Sequence, residues 1–205
     1  MIYVEKFQTF VPSDEQPSPN VAFVPMLTRR RLSLLSKMVV YVNQAVSKDL
    51  PPCKVTFASQ YGEISQQLKI SDNLLQTGNV SPAHFSLSVF NASIANATIL
   101  EKNTAGYSAV FSGKDAFRYG LADCVAALEA GSEKERIFIF ADEKIPETYA
   151  PVVGVPYPNT YCALALRLST EKTEGAVELD LSPLAGNFGT AADEAMEFIK
   201  TRLPA

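Results

Sequence analysis

The chain has 205 residues, 47% of them hydrophobic, and a formal net charge of −4. This length and composition suffice to bury a core, either as one domain or as a domain with an extension. The acidic balance, with a sequence pI near 5.1, argues against a general nucleic-acid-binding protein, which normally carries a basic face.

Strands and helices alternate over the first third of the chain. The clearest amphipathic helix has Thr28 as its candidate N-cap and ends before Pro51. Its apolar positions step by three and four residues, as expected for one buried helix face. They are Leu32, Leu35, Val39, Val42 and Val46. The strands predicted on either side of it are 1–11, which is followed by a polar loop over 12–19, and 54–59.

A second helix is predicted over residues 63–75. The spacing of Ile64, Leu68 and Leu75 places these side chains on an inward face. Gly78 follows the last apolar position, and a glycine there commonly ends a helix. We therefore expect this helix to pack on the core.

The segment 81–100 lacks charged residues. It begins with Ser81-Pro82, a favourable N-cap followed by a favourable first helical residue. No charge occurs between Val80 and Leu100, whereas a surface helix normally has a charged face. We therefore expect the segment to be buried on most sides, either in its own core or against a partner.

Residues 107–129 combine a strand, a tight turn and a helix. Residues 107–111 are rich in apolar β-formers, as in a short buried strand, and Ser112 is a candidate cap for the helix. Such a unit has the geometry of a nucleophile elbow, which lifts one side chain to a helix N-terminus. Here Val110 and Phe111 occupy that place, and neither can act as a nucleophile. The apolar face of the helix comprises Phe117, Leu121, Cys124, Val125 and Leu128.

The remaining chain completes an α/β pattern. Residues 136–141 form a continuous apolar strand, and the alternation up to this point predicts a layered sheet with parallel neighbours and helices on both faces. The proline-rich stretch 144–160 is predicted to be a loop. Residues 161–169 and 176–181 are predicted to pair as strands, and 192–203 to form a closing helix.

The cysteines and the overall hydropathy bear on location. Cys53, Cys124 and Cys162 are odd in number and widely spaced, so we interpret them as reduced core thiols and expect no zinc site. No run approaches the ~18 apolar residues of a membrane span. The N-terminus lacks the apolar region of a secretory signal. We therefore expect a cytoplasmic protein, without metal or cofactor.

Three segments resemble the N-terminal half of a β-ketoacyl synthase, a protein of the thiolase fold. Residues 81–92 resemble the helix that precedes the nucleophile strand in a divergent ketosynthase subgroup. The run Tyr-Ser-Ala-Val-Phe-Ser-Gly at 107–113 resembles the family's Thr-Ala-Cys-x-Ser-Gly elbow. Residues 136–143 resemble the next core strand and retain Glu143 of its closing motif.

The resemblance covers residues 1 to about 170. It implies a thiolase-like half that is truncated relative to a full ketosynthase. On this interpretation, residues 1–170 form the ketosynthase-like domain. Residues 171–205 are then a strand-helix extension that packs on the same domain.

The departures from the family imply a protein without catalysis. The family's nucleophilic cysteine falls on Val110, and the only histidine, His84, precedes the elbow. The family's two catalytic histidines belong to the second half. The chain is therefore similar to the chain length factors, inactive relatives that dimerise with an active ketosynthase and bound its acyl tunnel. It looks like the short form found in aryl polyene clusters. The implied partner is a full-length β-ketoacyl-ACP synthase, with the acyl carrier protein engaged through that partner.

The resemblance also implies where the partner binds. In the family the elbow strand pairs with its twin across the dimer axis, so residues 106–110 would be an edge strand that needs a partner. The uncharged residues 85–97 would lie against the same interface. An aromatic ring at this interface can bound the partner's tunnel, but it can equally be an ordinary core residue. The tunnel and interface candidates are His84, Phe85, Phe90, Asn91, Tyr107, Val110, Phe111 and Ser112.

Other functions remain open at this point. A stand-alone acyl hydrolase would use Ser112 or Cys124 as its nucleophile. An acyl-carrier- or ligand-binding module would work as a monomer with no exposed edge strand or apolar patch. His84 either forms a hydrogen bond to a pantetheine arm or to a partner residue, or it is a structural residue. The basic run 29–31 either contacts an acidic carrier protein or is a solvated helix start.

Overall fold

A six-stranded mixed sheet forms the centre of the structure, a computed structural model in which residues 1–204 are described. The strands are β1 (Tyr3–Phe10), β2 (Lys54–Ala58), β3 (Tyr107–Val110), β4 (Glu135–Asp142), β5 (Cys162–Ser169) and β6 (Val177–Glu178). Their order across the sheet is β3-β2-β4-β5-β1-β6. Strand β2 runs parallel to β3 and β4, as predicted, and the other neighbours are antiparallel.

Helices cover both faces of the sheet. They are α1 (Met26–Arg29), α2 (Leu34–Ser47), α3 (Ile64–Thr77), α4 (Pro82–Phe85), α5 (Ala92–Leu100), α6 (Ala116–Glu129), α7 (Ala150–Val153) and α8 (Ala191–Arg202). Two apolar clusters result, one beneath α2 and α5 and the other beneath α6 and α8. Strand β4 contributes to both by alternation: Ile137 and Ile139 face the first cluster, and Phe138 and Phe140 the second. The predicted layered α/β architecture is confirmed.

Helix α6 approaches the sheet closely at Gly120. A Cβ atom at this position would lie 2.4 Å from the Cβ of Ala58 and 3.0 Å from the ring of Phe138. Only glycine permits this contact between α6 and β2. The predicted apolar face of α6 is confirmed, since all five of its side chains are buried.

The last two strands do not pair with each other as predicted. Strand β1 lies between β5 and β6 and pairs antiparallel with both. Leu179, just after β6, donates its N–H to the carbonyl of Ile2 over 2.8 Å. The prediction was wrong because it paired two strands that follow each other in sequence. In the structure, each of them pairs with the N-terminal strand β1 instead. Helix α8 then begins at a capping box formed by Thr190 and Asp193.

The predicted cap of the long amphipathic helix was also wrong. Thr28 lies within the short helix α1, and the N-cap of α2 is Ser33. The backbone of Ser33 is extended, so its hydroxyl can turn back and accept the N–H of Ser36 over 2.8 Å. Helix α7 is a single turn within the predicted loop 144–160.

The α3–α4 region projects from the domain. Ile64 is buried and Leu68 is half-buried, but Leu75 is 85% exposed, so its predicted inward position is wrong. Residues 71–86 are exposed throughout. The expectation that 81–100 is buried on most sides therefore fails for its first half in the isolated chain. Within residues 1–204, no helix is both long and apolar enough to cross a membrane.

Candidate interface site at the sheet edge

Strand β3 lies at one edge of the sheet, as the resemblance implied. In the described chain it pairs only with β2, which leaves the backbone on its other side open. Tyr107 and Ala109 are exposed, and Ser108 and Val110 are half-buried. The expectation of a buried strand is therefore wrong for the chain alone, because no strand covers its outer side. An open edge of this kind is a template for pairing with another chain.

A polar network anchors β3 from the face beneath α6. The Ser108 hydroxyl lies 3.2 Å from Thr56 Oγ1 and 3.3 Å from Asp123 Oδ2. Arg136 donates to Thr56 over 2.9 Å and to Ser108 over 3.3 Å. Its guanidinium also contacts both carboxylate oxygens of Glu133. The network joins β2, β3, β4 and α6, so the edge strand is held in place without a partner.

An aromatic and polar cluster lies on the other face of β3. Asn91 donates its side-chain N–H to the Tyr107 hydroxyl over 2.9 Å. The ring of Phe90 packs between Phe57 and Phe111, with centroid separations of 5.7 Å and 4.9 Å. We call the surface formed by Phe90, Asn91, Tyr107, Ala109 and Phe111 the β3 surface. It joins the start of α5 to the open edge.

Val110, the residue predicted to occupy the position of the family's nucleophile, is turned away from that surface. Val110 is half-buried against the cluster beneath α6. None of Val110, Phe111 and Ser112 has positive φ, and the left-handed residue of the turn is Gly113 at φ 59°. The strained backbone of a nucleophile elbow is therefore not found at these three residues.

Ser112 does not cap a helix, contrary to the prediction. A 3-10 turn over Gly113–Asp115 separates it from α6. Its Oγ is buried and has no hydrogen-bond partner among the described residues. Cys124, the other candidate hydrolase nucleophile, is fully buried, and burial raises the pKa of its thiol to about 12. Neither group is activated for attack.

His84 and Phe85 lie apart from the β3 surface, on the short helix α4. His84 lines a cavity of about 300 Å³ between α3 and α4, together with Gln66, Lys69 and Ile70. The side chain of Phe85 is 56% exposed. The structure thus brings together four of the predicted candidates, Phe90, Asn91, Tyr107 and Phe111, and leaves these two on the projecting region.

Apolar side chains are exposed beside the β3 surface. Ile99 on α5 is 73% exposed and Leu27 on α1 is 74% exposed. Both line a groove of about 410 Å³ between α1 and α5, with Leu87 and Val89. Arg31 is the one charged residue of its lining. A contiguous patch of exposed apolar side chains commonly marks a surface that binds another protein.

A buried acidic cluster supports the start of α3 at the carboxyl ends of β2 and β4. Asp142 Oδ1 accepts the Ser59 hydroxyl over 2.6 Å and two backbone N–H groups. Glu63 accepts the Ser36 hydroxyl over 2.7 Å. Glu143, which the resemblance assigns to a family motif, accepts a backbone N–H of α3 over 3.1 Å. Burial raises the pKa of Asp142 and of Glu63 to about 7, and it also raises the pKa of Glu143.

Sequence reasoning missed most of this acidic cluster and the whole polar network. Within the described residues, no group of His, Cys, Asp and Glu side chains is arranged to hold a metal ion. The sequence did contain one signal for the acidic cluster. Asp142 and Glu143 stand at the carboxyl end of a parallel strand, where polar side chains converge. Asp142 is hydrogen-bonded to the loop after β2 and Glu143 to the first turn of α3, which explains why two acids occur at the end of an apolar strand.

Comparison with known proteins identifies the fold and the family. The family model described as the β-ketoacyl synthase N-terminal domain matches residues 5–200. A structure of the ketosynthase ApeO in complex with its chain length factor ApeC from Xenorhabdus doucetiae matches at 25% identity with a TM-score of 0.71. The match covers 83% of this chain and 79% of that chain, so the two chains are close in length.

Two further solved structures share the fold. A β-ketoacyl synthase from Burkholderia phymatum STM815 matches at 12% identity and a TM-score of 0.61, over 75% of this chain and 46% of that chain. The ishigamide ketosynthase/chain length factor matches at 10% identity and a TM-score of 0.58, over 74% and 47%. In both cases the matched region is about half of the other chain. No match was found among curated proteins.

Proposed function

The chain belongs to the β-ketoacyl synthase N-terminal domain family, and on that basis we propose that it is a non-catalytic, chain length factor-like subunit. Its partner is a full-length β-ketoacyl-ACP synthase, with which it forms a heterodimer. The observation that carries this proposal is the open edge of β3, flanked by exposed Phe111 and by the uncharged start of α5.

The proposed lack of catalysis rests on the elbow. Val110 has no nucleophilic atom, and its side chain is half-buried in the core. The only histidine is the exposed His84, and no hydrogen bond connects it to the residues of the elbow. Claisen condensation needs a nucleophile and an acid–base partner within hydrogen-bond reach, and these residues supply neither.

The share of each solved chain that is matched supports the chain length factor assignment. The match covers 79% of the matched chain in the Xenorhabdus complex but only 46% of the β-ketoacyl synthase from Burkholderia. We therefore propose that this chain corresponds to the chain length factor of such a complex. Chain elongation of the aryl polyene type is the finer assignment that we propose for the heterodimer.

The β3 surface is the proposed contact with the partner. A strand of the partner pairs with the open edge of β3, and the groove beside Ile99 and Leu27 receives apolar side chains. Phe111 is the best placed of the three aromatic candidates to bound the partner's acyl tunnel, because 65% of its surface is free. Phe90 positions Phe111 from behind. Phe85 and His84 belong to the rim of the contact.

The acyl carrier protein is reached through the partner, with a contribution from the basic residues at α1. Arg29, Arg30 and Lys37 line one groove of about 350 Å³, and no carboxylate lines it. A groove with this charge suits an acidic protein surface. We also propose a cytoplasmic location, in keeping with three cysteines that are all free thiols.

We further propose that residues 171–205 extend the same domain. Strand β6 pairs with β1, and Phe198 of α8 packs on Phe117 of α6 with centroids 5.3 Å apart. These contacts tie the extension to both the sheet and the helical layer.

The alternative functions have less support. A hydrolase would need Ser112 or Cys124, whose side chains are buried and not activated. A self-sufficient binding monomer would not expose an edge strand beside an apolar groove. Thioester turnover by the isolated chain that is lost in Ser112→Ala would favour the hydrolase over the subunit.

Assembly is tested with two matched variants at opposite edges of the sheet. Ala109→Asp places a charge on the exposed side of β3, and Val177→Asp does the same on the opposite edge strand, β6. When tagged chain and ketosynthase are co-expressed, we expect Ala109→Asp to lose most of the partner and Val177→Asp to retain it. Equal retention by both variants would contradict the proposed interface.

A further inference from the structure

A cavity of about 320 Å³ lies between α6, α8 and residues 180–184. It is on the face of the sheet opposite the β3 surface, so it is separate from the proposed partner contact. Its floor is apolar and belongs to the core. Four buried side chains form it: Phe117, Leu121, Val125 and Phe198.

Two small residues keep the cavity open. Ala122 and Ala126 are four positions apart on α6, so both lie on the same side of the helix and line the cavity. Both are exposed rather than packed. A larger side chain at either position would project into the space. The volume falls within the range of ~300–1,000 Å³ that is usual for ligand sites.

The roof of the cavity is fixed in place. Arg202, in the last turn of α8, pairs with Asp180 and donates to the Ser182 hydroxyl over 2.9 Å. Ser182 in turn donates its N–H to Asp180 over 2.8 Å. Leu179 is buried and Leu184 packs on the core, so the roof is also held at both ends. The cavity is therefore preformed.

The charges around the cavity select what can enter it. Arg118 is the only cation of the lining, and it is already paired with Glu194 over 3.0 Å. Asp180 is paired with Arg202, and Glu129 has no ion pair among the described residues. The lining thus has three carboxylates and one cation, which disfavours an anionic ligand.

We propose that this cavity binds an uncharged apolar group, such as the hydrocarbon chain of a neutral alcohol or ester, and disfavours carboxylates. The apolar floor provides the favourable burial. The paired and unpaired carboxylates at the rim repel a negative head group. This site goes beyond the subunit function, and it exists whether or not the chain binds a ketosynthase.

Binding of 1-octanol and of octanoate to the full chain, measured by isothermal titration calorimetry, tests the proposal. We expect saturable octanol binding and an octanoate Kd at least about tenfold weaker. Ala126→Phe fills the cavity from an exposed helix position, and we expect it to weaken octanol binding by about tenfold or more. The matched control is Ala130→Phe, which adds the same ring at an exposed alanine that does not line the cavity.

Three results would overturn the proposal. They are no saturable octanol binding by the wild-type chain, equal binding by Ala126→Phe and Ala130→Phe, and tighter binding of octanoate than of octanol. Circular dichroism of each variant confirms that it is folded. If Ala126→Phe does not fold, Ala122→Leu fills the same space from the previous turn and is compared with the same control.

Discussion

The ring of Phe111 lies 4.9 Å from the ring of Phe90, and only Phe90 reaches the core. Behind Phe90, a Cβ on Gly62 would lie 2.7 Å from the Phe90 ring, so that ring is closely confined. Phe111 thus has a rigid support and a largely free outer surface. A support of this kind suits a side chain that contacts another protein.

This relationship predicts different effects for the two phenylalanines. Phe90→Ala should lower the free energy of unfolding by about 3 kcal/mol, because it opens a cavity against Phe57. Phe111→Ala should lower it by less than about 1 kcal/mol but weaken the heterodimer by about tenfold. Urea unfolding and titration of the partner measure the two effects, with Phe7→Ala on β1 as the control for binding. Equal stability losses would contradict this account.

The two serines that precede helices should also behave differently. Ser33 caps α2, so Ser33→Ala should cost about 1 kcal/mol of stability. Ser112 has a buried hydroxyl without a partner, so Ser112→Ala should be neutral or slightly stabilising. Thermal and urea unfolding measure both. A comparable loss in Ser112→Ala would mean that its hydroxyl has a hydrogen-bond partner after all.

The polar network predicts how β3 responds to loss of its anchor. Ser108→Ala removes the contacts to Thr56, Asp123 and Arg136, at a cost of about 1 kcal/mol. Hydrogen exchange of the β3 amides should accelerate by about fivefold, since local opening becomes easier. Thr77→Ala, which removes hydrogen bonds at the exposed end of α3, is the control. Unchanged exchange in β3 would show that the network does not hold the strand.

The acidic cluster predicts a pH dependence of stability. The pKa of Asp142 is raised from 3.8 to about 7 in the folded protein. The folded state therefore holds this proton more tightly than the unfolded chain does. The contribution of Asp142 to stability is fully present below the pKa that this residue has in the unfolded chain. It is lost as the pH rises through about 7. Glu63, with a pKa of about 7, adds to the same trend.

Asp142→Asn tests this dependence, because asparagine keeps an acceptor for Ser59 and cannot ionise. Between about pH 5 and about pH 8, the free energy of unfolding should fall in both proteins. The fall in Asp142→Asn should be smaller than that in the wild type by on the order of 2 kcal/mol. Urea unfolding at several pH values measures the difference. Asp72→Asn, on the exposed part of α3, should leave the wild-type slope unchanged. Identical slopes for all three proteins would show that Asp142 does not titrate in this window.

Local patterns in the sequence predicted the features that depend on nearby residues. The apolar face of α6 follows from helical spacing alone, and Gly78 ends α3 in the left-handed conformation as expected. The edge position of β3 came from the family resemblance. It agrees with the observed strand order.

Long-range pairing was not predictable in the same way. The insertion of β1 between β5 and β6 depends on residues more than 150 positions apart. The polar network joins single residues of β2, β3, β4 and α6, and none of them forms a motif with its neighbours in sequence. Helical spacing in α3 predicted an inward Leu75, but it carries no information on where the sheet ends.

Light scattering on a sizing column tests the central claim most directly, with the chain co-expressed with a full-length β-ketoacyl-ACP synthase. We expect one species whose mass is the sum of one 22.3 kDa chain and one ketosynthase chain, and we expect Ala109→Asp to lose this species. A monodisperse 22.3 kDa monomer that elutes apart from the ketosynthase would contradict the account.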